Sequence, residues 1–341
     1  MTETTLCRTF QTAPAGVPRD DSAKYLRSGL TADGFAAPDW LVPDLEDGTA
    51  PDMKEEALDN VCDLLPEYGD EFAGEIWPRV EWAYDSEPTR ERGVDQIETI
   101  AESVGEHVDG VVVPKVGRLE DVKAAESAVA AAARESGTDL GLSVIVESAA
   151  ARSDLRDIAA FGQESRLTAL VFGPVDYTAE LGGREIGERP TWPGLYEELS
   201  NEASANGLLA IGGPFDRLFR ERAGVTFYNG DAYADHVERE ARVGLDGSWA
   251  LHPNQTAQAN RIHLPTESEL RTSVKKIEAF TEAKDTGTGA VAIDGQMVDE
   301  ATLKNFQNTV DTVQTVHAAH ETQTRDRYDD DLLDRALAVA E

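Results

Sequence analysis

The sequence predicts an α/β chain folded as a (β/α)8 TIM barrel with a C-terminal extension, and three observations lead there. Short apolar runs rich in β-branched residues alternate with Ala- and Glu-rich helical stretches. Several runs stop abruptly on a charged residue, as strands do where their C-terminal ends face a ligand. No Gly-rich dinucleotide fingerprint or P-loop follows an early run, which disfavours the alternative, an open doubly wound sheet.

Taken in order, residues 1–22 show little apolar periodicity and several turn formers, and read as an irregular arm. Residues 23–264 read as the barrel. Its eight strands are expected at 24–28, 41–45, 76–80, 111–114, 142–146, 169–172, 208–211 and 248–251, with helices between them such as 119–134 (LEDVKAAESAVAAAAR) and 196–206. Residues 265–341 read as a helical lid and oligomerisation segment. A helix over 265–284 leads to a flexible hinge at 285–289 (DTGTG), an apolar-acidic strip over 290–299, an amphipathic helix to about residue 320 and a charged, then helical, end over 325–341. No internal repeat appears beyond this alternation.

Composition narrows the class. A length of 341 residues suits about two domains or one barrel with an appendage, and 40% hydrophobic residues suffice for a sizeable core. The 65 acidic residues outnumber the 31 Lys and Arg, leaving a formal charge of −34 spread along the chain. Such a surface argues against nucleic acid and anionic membranes as partners, and fits work in high salt, where screening removes self-repulsion. Two cysteines, Cys7 and Cys62, form no disulfide framework and no metal-ligand spacing. No apolar run reaches membrane-spanning length, and the start of the chain lacks signal-peptide features, so a cytoplasmic location is expected.

The strand ends carry the chemistry. Leu45 is followed by Glu46 and Asp47, Pro78 by Arg79, Pro114 by Lys115, Val146 by Glu147, Val175 by Asp176 and Leu251 by His252. One carboxylate after a strand is often a helix N-cap. Two, on strands joined by one helix, are placed to hold a hard divalent cation, and Mg2+ prefers one or two protein carboxylates plus substrate oxygens and water. Glu147 and Asp176 are therefore the candidate metal ligands. Arg79 offers a cationic fork for a carboxylate or developing oxyanion, with Glu46 and Asp47 orienting it and the metal-bound waters. Lys115 reads as a structural ion pair in preference to a Schiff-base lysine, and His252 as a hydrogen-bonded turn residue. His317 and His320 lack a third ligand and read as solvated helix surface.

Residues 44–54 (DLEDGTAPDMK), 109–115 (DGVVVPK), 145–150 (IVESAA), 172–177 (FGPVDY), 251–255 (LHPNQ) and 294–299 (DGQMVD) resemble, in order and spacing, the successive motifs of the citrate lyase β-subunit/malyl-CoA lyase (HpcH/HpaI aldolase) family. The resemblance spans roughly residues 24–320. It implies a (β/α)8 barrel with a lid, a Mg2+-dependent carbon–carbon lyase of acyl-CoA thioesters with Mn2+ as a substitute metal, glyoxylate as the partner product, and a homotrimer or homohexamer. It matches Glu147 and Asp176 to the family's metal ligands and Arg79 to its substrate-contacting arginine. Asp299 matches a lid aspartate that acts as acid/base in a neighbouring subunit's site.

Two departures accompany it. Arg79-Val80-Glu81-Trp82 replaces an Arg-x-Asn pattern, and Lys24-Tyr25-Leu26-Arg27-Ser28-Gly29 stands where a Phe-Val-Pro-Gly turn is usual; Lys24 and Arg27 are the cations there that suit CoA phosphates. Within the family the chain resembles the acidic, salt-adapted lyases acting on malyl-CoA and β-methylmalyl-CoA. Alternatives on the same scaffold are a malyl-CoA thioesterase, a citramalyl-CoA lyase and a non-catalytic assembly subunit, the last disfavoured by the intact set of strand-end acids.

Overall fold

A computed structural model describes residues 6–184, 192–222, 224–285, 287 and 289–339. They divide into two compact units, one over residues 7–260 and one comprising Leu6 with residues 261–339.

The larger unit is a barrel. Its strands are β1 (Thr9–Pro14), β2 (Trp40–Asp44), β3 (Glu75–Ile76), β4 (Gly110–Val113), β5 (Gly141–Val146), β6 (Leu167–Phe172) and β7 (Leu209–Ile211). An antiparallel hairpin, β8 (Phe219–Arg222) and β9 (Val225–Tyr228), precedes the last barrel strand, β10 (Ser248–Ala250). The parallel orders β10-β1-β2-β3 and β4-β5-β6-β7 form two arcs. Single bridges close both seams: Arg79 pairs with Asp44 and Val112, and Ile211 with Gly247. Between strands run α1 (Lys24–Leu30), α2 (Lys54–Tyr68), α3 (Glu87–Val104), α4 (Leu119–Ser136), α5 (Ala149–Ser153), α6 (Leu155–Phe161), α7 (Pro174–Glu180), α8 (Pro193–Asn206) and α9 (Gly230–Arg242), with α10 (Pro253–Ile262) after β10.

The barrel interior is a packed core of Phe10, Trp40, Val42, Trp77, Val112, Ile145, Val171, Ile211 and Trp249. Trp40 and Trp77 stack with ring centres 4.0 Å apart. A second apolar layer, including Leu41, Val61, Ile97, Val129, Leu142 and Leu170, lies between the strands and the helices. Alternate strand residues thus feed two cores, which is why these runs read as continuously apolar.

The expected first strand is a correction. Residues 24–28 are helical, because Leu26, Gly29 and Leu30 recur at helical spacing and are buried on one face. Gly29 packs so closely on β2 that an added Cβ would lie 2.5 Å from Leu41 Cδ1. The real first strand, β1, lies inside the stretch read as an irregular arm. Its polar residues are buried: Thr9 Oγ1 donates to Asn260 Oδ1 at 3.0 Å, and Thr256 Oγ1 donates to Gln11 Oε1. A strand buried against a polar helix face carries no apolar alternation to read.

The smaller unit contains α11 (Glu267–Asp285), the hairpin β11 (Ala290–Ile293) and β12 (Gln296–Asp299), α12 (Glu300–Ala319), α13 (Glu321–Arg327) and α14 (Asp330–Ala338). Phe280, Ile293 and Val298 form its small core, with Leu303 and Phe306 against them. The expected helices and apolar-acidic strip are present. Residues 286 and 288 of the expected hinge and the last two residues of the chain lie outside the described residues. No helix among the described residues is long and apolar enough to cross a membrane.

Candidate active site

Arg79 occupies the seam between β2 and β4, where Pro78 and Arg79 continue β3 by bridges alone. Its amide donates to Pro43 O at 2.8 Å and its carbonyl accepts from Leu45 N at 2.9 Å, which fixes the backbone. The buried guanidinium forks onto Asp44: Nε donates to Oδ1 at 2.9 Å and Nη2 to Oδ2 at 2.6 Å. Nη1 lies 3.3 Å from Glu46 Oε2, and the guanidinium carbon lies 5.6 Å from the Trp249 ring centre. Burial opposes the charge, but Asp44, Glu46 and Glu147 outweigh it and hold the pKa above the ordinary guanidinium value.

Asp44, the last residue of β2, is the orienting acid that sequence reasoning missed; Glu46 and Asp47 were given that role. Asp44 also caps the turn after its strand, accepting from Glu46 N and Gly48 N at 2.9 Å each. A Cβ at Gly48 would lie 2.1 Å from Asp44 Oδ2, so glycine lets that turn close. The signal was present: Asp44 follows Val42 and Pro43 directly, one residue before the position taken as the strand end. Asp47 instead pairs with Lys115, and Glu46 spans Arg79 and Lys115.

Lys115 is the structural ion pair expected. Its ammonium contacts Glu46 Oε1 and lies 2.7 Å from Asp47 Oδ2. Burial works against its charge, yet the two acids raise its pKa above the ordinary ammonium value, the opposite of what a Schiff-base nucleophile needs. Burial raises the Glu46 pKa despite both cations, whereas in Asp47 contact with Lys115 outweighs burial and lowers it. Lys115 has φ of 47°, a left-handed conformation rare outside glycine. That turn aims its amide at Glu147 Oε1, at 2.7 Å.

Glu147 directly follows β5, and Asp176 sits in the first turn of α7 after β6. Glu147 is buried, and Gly173 packs so tightly on it that a Cβ there would meet Oε2 at 2.3 Å. Burial first and then the neighbouring Asp176 charge push its pKa up to about 8, against the Lys115 amide and Arg79. A buried carboxylate beside a second one, with too little positive charge to balance both, fits a divalent cation. Among the described residues no group of three or more His, Cys, Asp and Glu side chains forms a metal site. Two carboxylates are nevertheless the donor set Mg2+ takes when substrate and water complete its shell.

Asp299 lies in the smaller unit as the N-cap of α12, accepting from Thr302 N at 2.9 Å in a capping box that lowers its pKa. Arg27 is paired with Asp21 at 2.6 Å, and Lys24 lies 6.0 Å from the Tyr25 ring centre. His252 accepts from Asn254 N through Nδ1 at 3.0 Å, the turn role expected. His320 is a correction, because it is buried at the end of α12 and is not a solvated surface residue. His317 Nδ1 lies 2.7 Å from Thr324 Oγ1.

Known proteins bear on this geometry. A protein of Haloarcula marismortui named L-malyl-CoA/beta-methylmalyl-CoA lyase is 61% identical over 98% of both chains. The protein of that name from Cereibacter sphaeroides is 27% identical over 83% of this chain and 90% of its own. A Haloferax volcanii malate synthase, solved as a pyruvate/acetyl-CoA ternary complex, superposes with a TM-score of 0.72 at 32% identity, covering both chains fully. The magnesium/glyoxylate complex of that malate synthase superposes with a TM-score of 0.71 at 30% identity, again covering both chains. The sequence profile of the HpcH/HpaI aldolase/citrate lyase family matches residues 30–253, the stretch that contains Arg79, Glu147 and Asp176. The chain belongs to that family.

Proposed function

We propose that this chain is a Mg2+-dependent carbon–carbon lyase that reversibly cleaves β-methylmalyl-CoA into propionyl-CoA and glyoxylate, and malyl-CoA into acetyl-CoA and glyoxylate. The observation that carries the reading is the buried Glu147 carboxylate, which feels both the Asp176 carboxylate and the Arg79 guanidinium. The end-to-end similarity to the Haloarcula lyase supplies the substrate class.

Glu147 and Asp176 would hold the metal, which supplies Lewis acidity to the carboxylate and hydroxyl oxygens of the glyoxylate half. Cleavage passes the hydroxyl proton to the Asp299 carboxylate, breaks the bond between the carbinol carbon and the α-carbon of the thioester, and leaves an aldehyde and a thioester enolate. Arg79, held rigid by Asp44, stabilises the enolate oxygen. Asp299 serves as the acid/base that returns a proton to the α-carbon, brought by the hairpin segment of a neighbouring subunit in a homotrimer or homohexamer. Glu46 and Asp47 keep Arg79 and Lys115 in place.

On the thioester side, Lys24 takes the CoA phosphates, and Arg27 joins by exchanging Asp21 for a phosphate. Mn2+ replaces Mg2+, and the enzyme is cytoplasmic. The test is glyoxylate release from β-methylmalyl-CoA. Asp176→Ala should abolish it and weaken Mg2+ binding; an active, metal-independent variant would sink the assignment.

A second reading has one observation in its favour, the similarity to proteins named malate synthase. There the thioester is hydrolysed after condensation, so free thiol appears and malate replaces malyl-CoA. Thiol titration separates the two readings.

A further inference from the structure

Beyond the strand-end residues, the barrel holds a buried ionisable cluster that the chemistry above does not use. Glu240 is fully buried on α9 and His236 lies one turn before it. The His236 Nε2–H donates to Gly213 O at 3.0 Å, and Glu240 Oε1 lies 3.0 Å from the same nitrogen. Ser248 Oγ, at the start of β10, donates to Glu240 Oε2 at 2.5 Å. The His236 ring lies against Phe215 and Tyr233, with centres 5.7 and 6.4 Å away. The cluster therefore ties α9 to the end of β7 and the start of β10.

What it holds is the Gly212–Gly213 turn. A Cβ at Gly212 would fall 2.0 Å from Glu240 Oε1, and one at Gly213 would fall 2.6 Å from Pro174 Cδ and 3.1 Å from Phe172 O. The turn is thus pressed between the Glu240 carboxylate and the segment Phe172–Gly173–Pro174. Strands β6 and β7 pair directly beneath it, Val171 against Ile211. Pro174 begins α7, two residues before Asp176, and Gly173 cradles Glu147.

We infer that His236, backed by Glu240, is a positioning residue for the metal-binding segment: it fixes the Gly212–Gly213 turn against Pro174 and thereby sets where Asp176 points. The inference rests on the reading of Glu147 and Asp176 as metal ligands. The donor is what matters, since Gly213 O needs a hydrogen-bond donor at that position and Glu240 keeps the imidazole nitrogen nearest it protonated.

The test compares three variants in the full chain at high KCl, using Mn2+ binding by electron paramagnetic resonance and deuterium uptake over residues 173–180 without metal. His236→Met, near in length but lacking a donor, should weaken Mn2+ binding roughly tenfold and raise exchange in that segment. His236→Gln, which keeps a donor at similar reach, should restore both. Gly213→Ala, which pushes Pro174 from the other side, should reproduce the loss even if His236→Met does not fold. A folded His236→Met or Gly213→Ala with wild-type Mn2+ affinity and exchange overturns the inference. Asp176→Ala is the reference: if it keeps Mn2+ affinity, the metal assignment fails instead, and the metal-free exchange readout still decides the positioning role.

Discussion

Two buried arginine–aspartate forks sit at opposite ends of β2. Arg8 precedes β1 and clamps Asp39, which precedes β2: Nε donates to Oδ2 at 2.8 Å, Nη2 to Oδ1 at 2.7 Å, and the Arg8 amide to Oδ2 at 2.7 Å. Arg79 and Asp44 repeat the fork where the strands end. In the first pair one guanidinium forks onto one carboxylate, and its Nη1 reaches a backbone carbonyl, Asn260 O, at 3.4 Å. At the second, further acids gather on the fork itself, since Arg79 also faces Glu46 and Glu147, and Glu147 faces Asp176. Geometry alone does not separate structure from function here. The surplus of negative charge does, because it leaves work for a cation and a substrate that the fold does not supply.

The largest effect should come from the Arg8–Asp39 pair. Arg8→Met takes the guanidinium away from the buried Asp39 carboxylate, and should cost about 3–5 kcal/mol of stability in denaturant unfolding at high KCl. Its activity per folded molecule should stay within about twofold. Arg79→Lys should do the reverse: it keeps a charge among the acids and so the fold, but loses the fork, and glyoxylate release should fall roughly 10²- to 10³-fold in kcat/KM. An Arg79→Lys variant with full activity would break the distinction between the two ends. Asp44→Asn keeps shape but weakens the clamp, and should lower kcat/KM about 10- to 100-fold with little change in unfolding midpoint.

The smallest effect belongs to a third buried pair, His236–Glu240. Burial opposes the imidazolium, but Glu240 outweighs it and raises the His236 pKa above its ordinary value, with the nearby Arg239 opposing. The folded protein therefore binds this proton more tightly than the unfolded chain. The associated stability is fully present below about pH 6.5, the ordinary imidazole value, and is lost as pH rises through the raised folded pKa. His236→Gln should flatten that part of the stability–pH curve; an unchanged curve would assign the slope to other groups.

The same contrast explains what was legible in the chain. Arg79, Glu147 and Asp176 could be picked out because each breaks an apolar run: Arg79 and Glu147 where a strand ends, and Asp176 in the first turn of α7 after β6. The other end could not: Thr9 and Gln11 are buried through hydrogen bonds to α10, and β1 therefore looks like a polar arm. Asp44 ends β2 one residue before the expected strand end, and with three acids in five residues the orienting role falls on Glu46 and Asp47 when the strand is read one residue too long. His236 and Glu240 look like any exposed i,i+4 pair on a helix, and only the approach of two glycines shows that they are inside. Asp299 stands where the sequence begins a helix, and the structure makes it that helix's N-cap, while the acid/base role proposed for it rests on the family resemblance.

The most direct test of the central claim is to incubate the purified protein with β-methylmalyl-CoA in high KCl, with and without Mg2+, trapping glyoxylate while titrating free thiol. The account predicts Mg2+-dependent glyoxylate with little thiol. Free thiol without glyoxylate, or glyoxylate formation indifferent to metal removal, would contradict it.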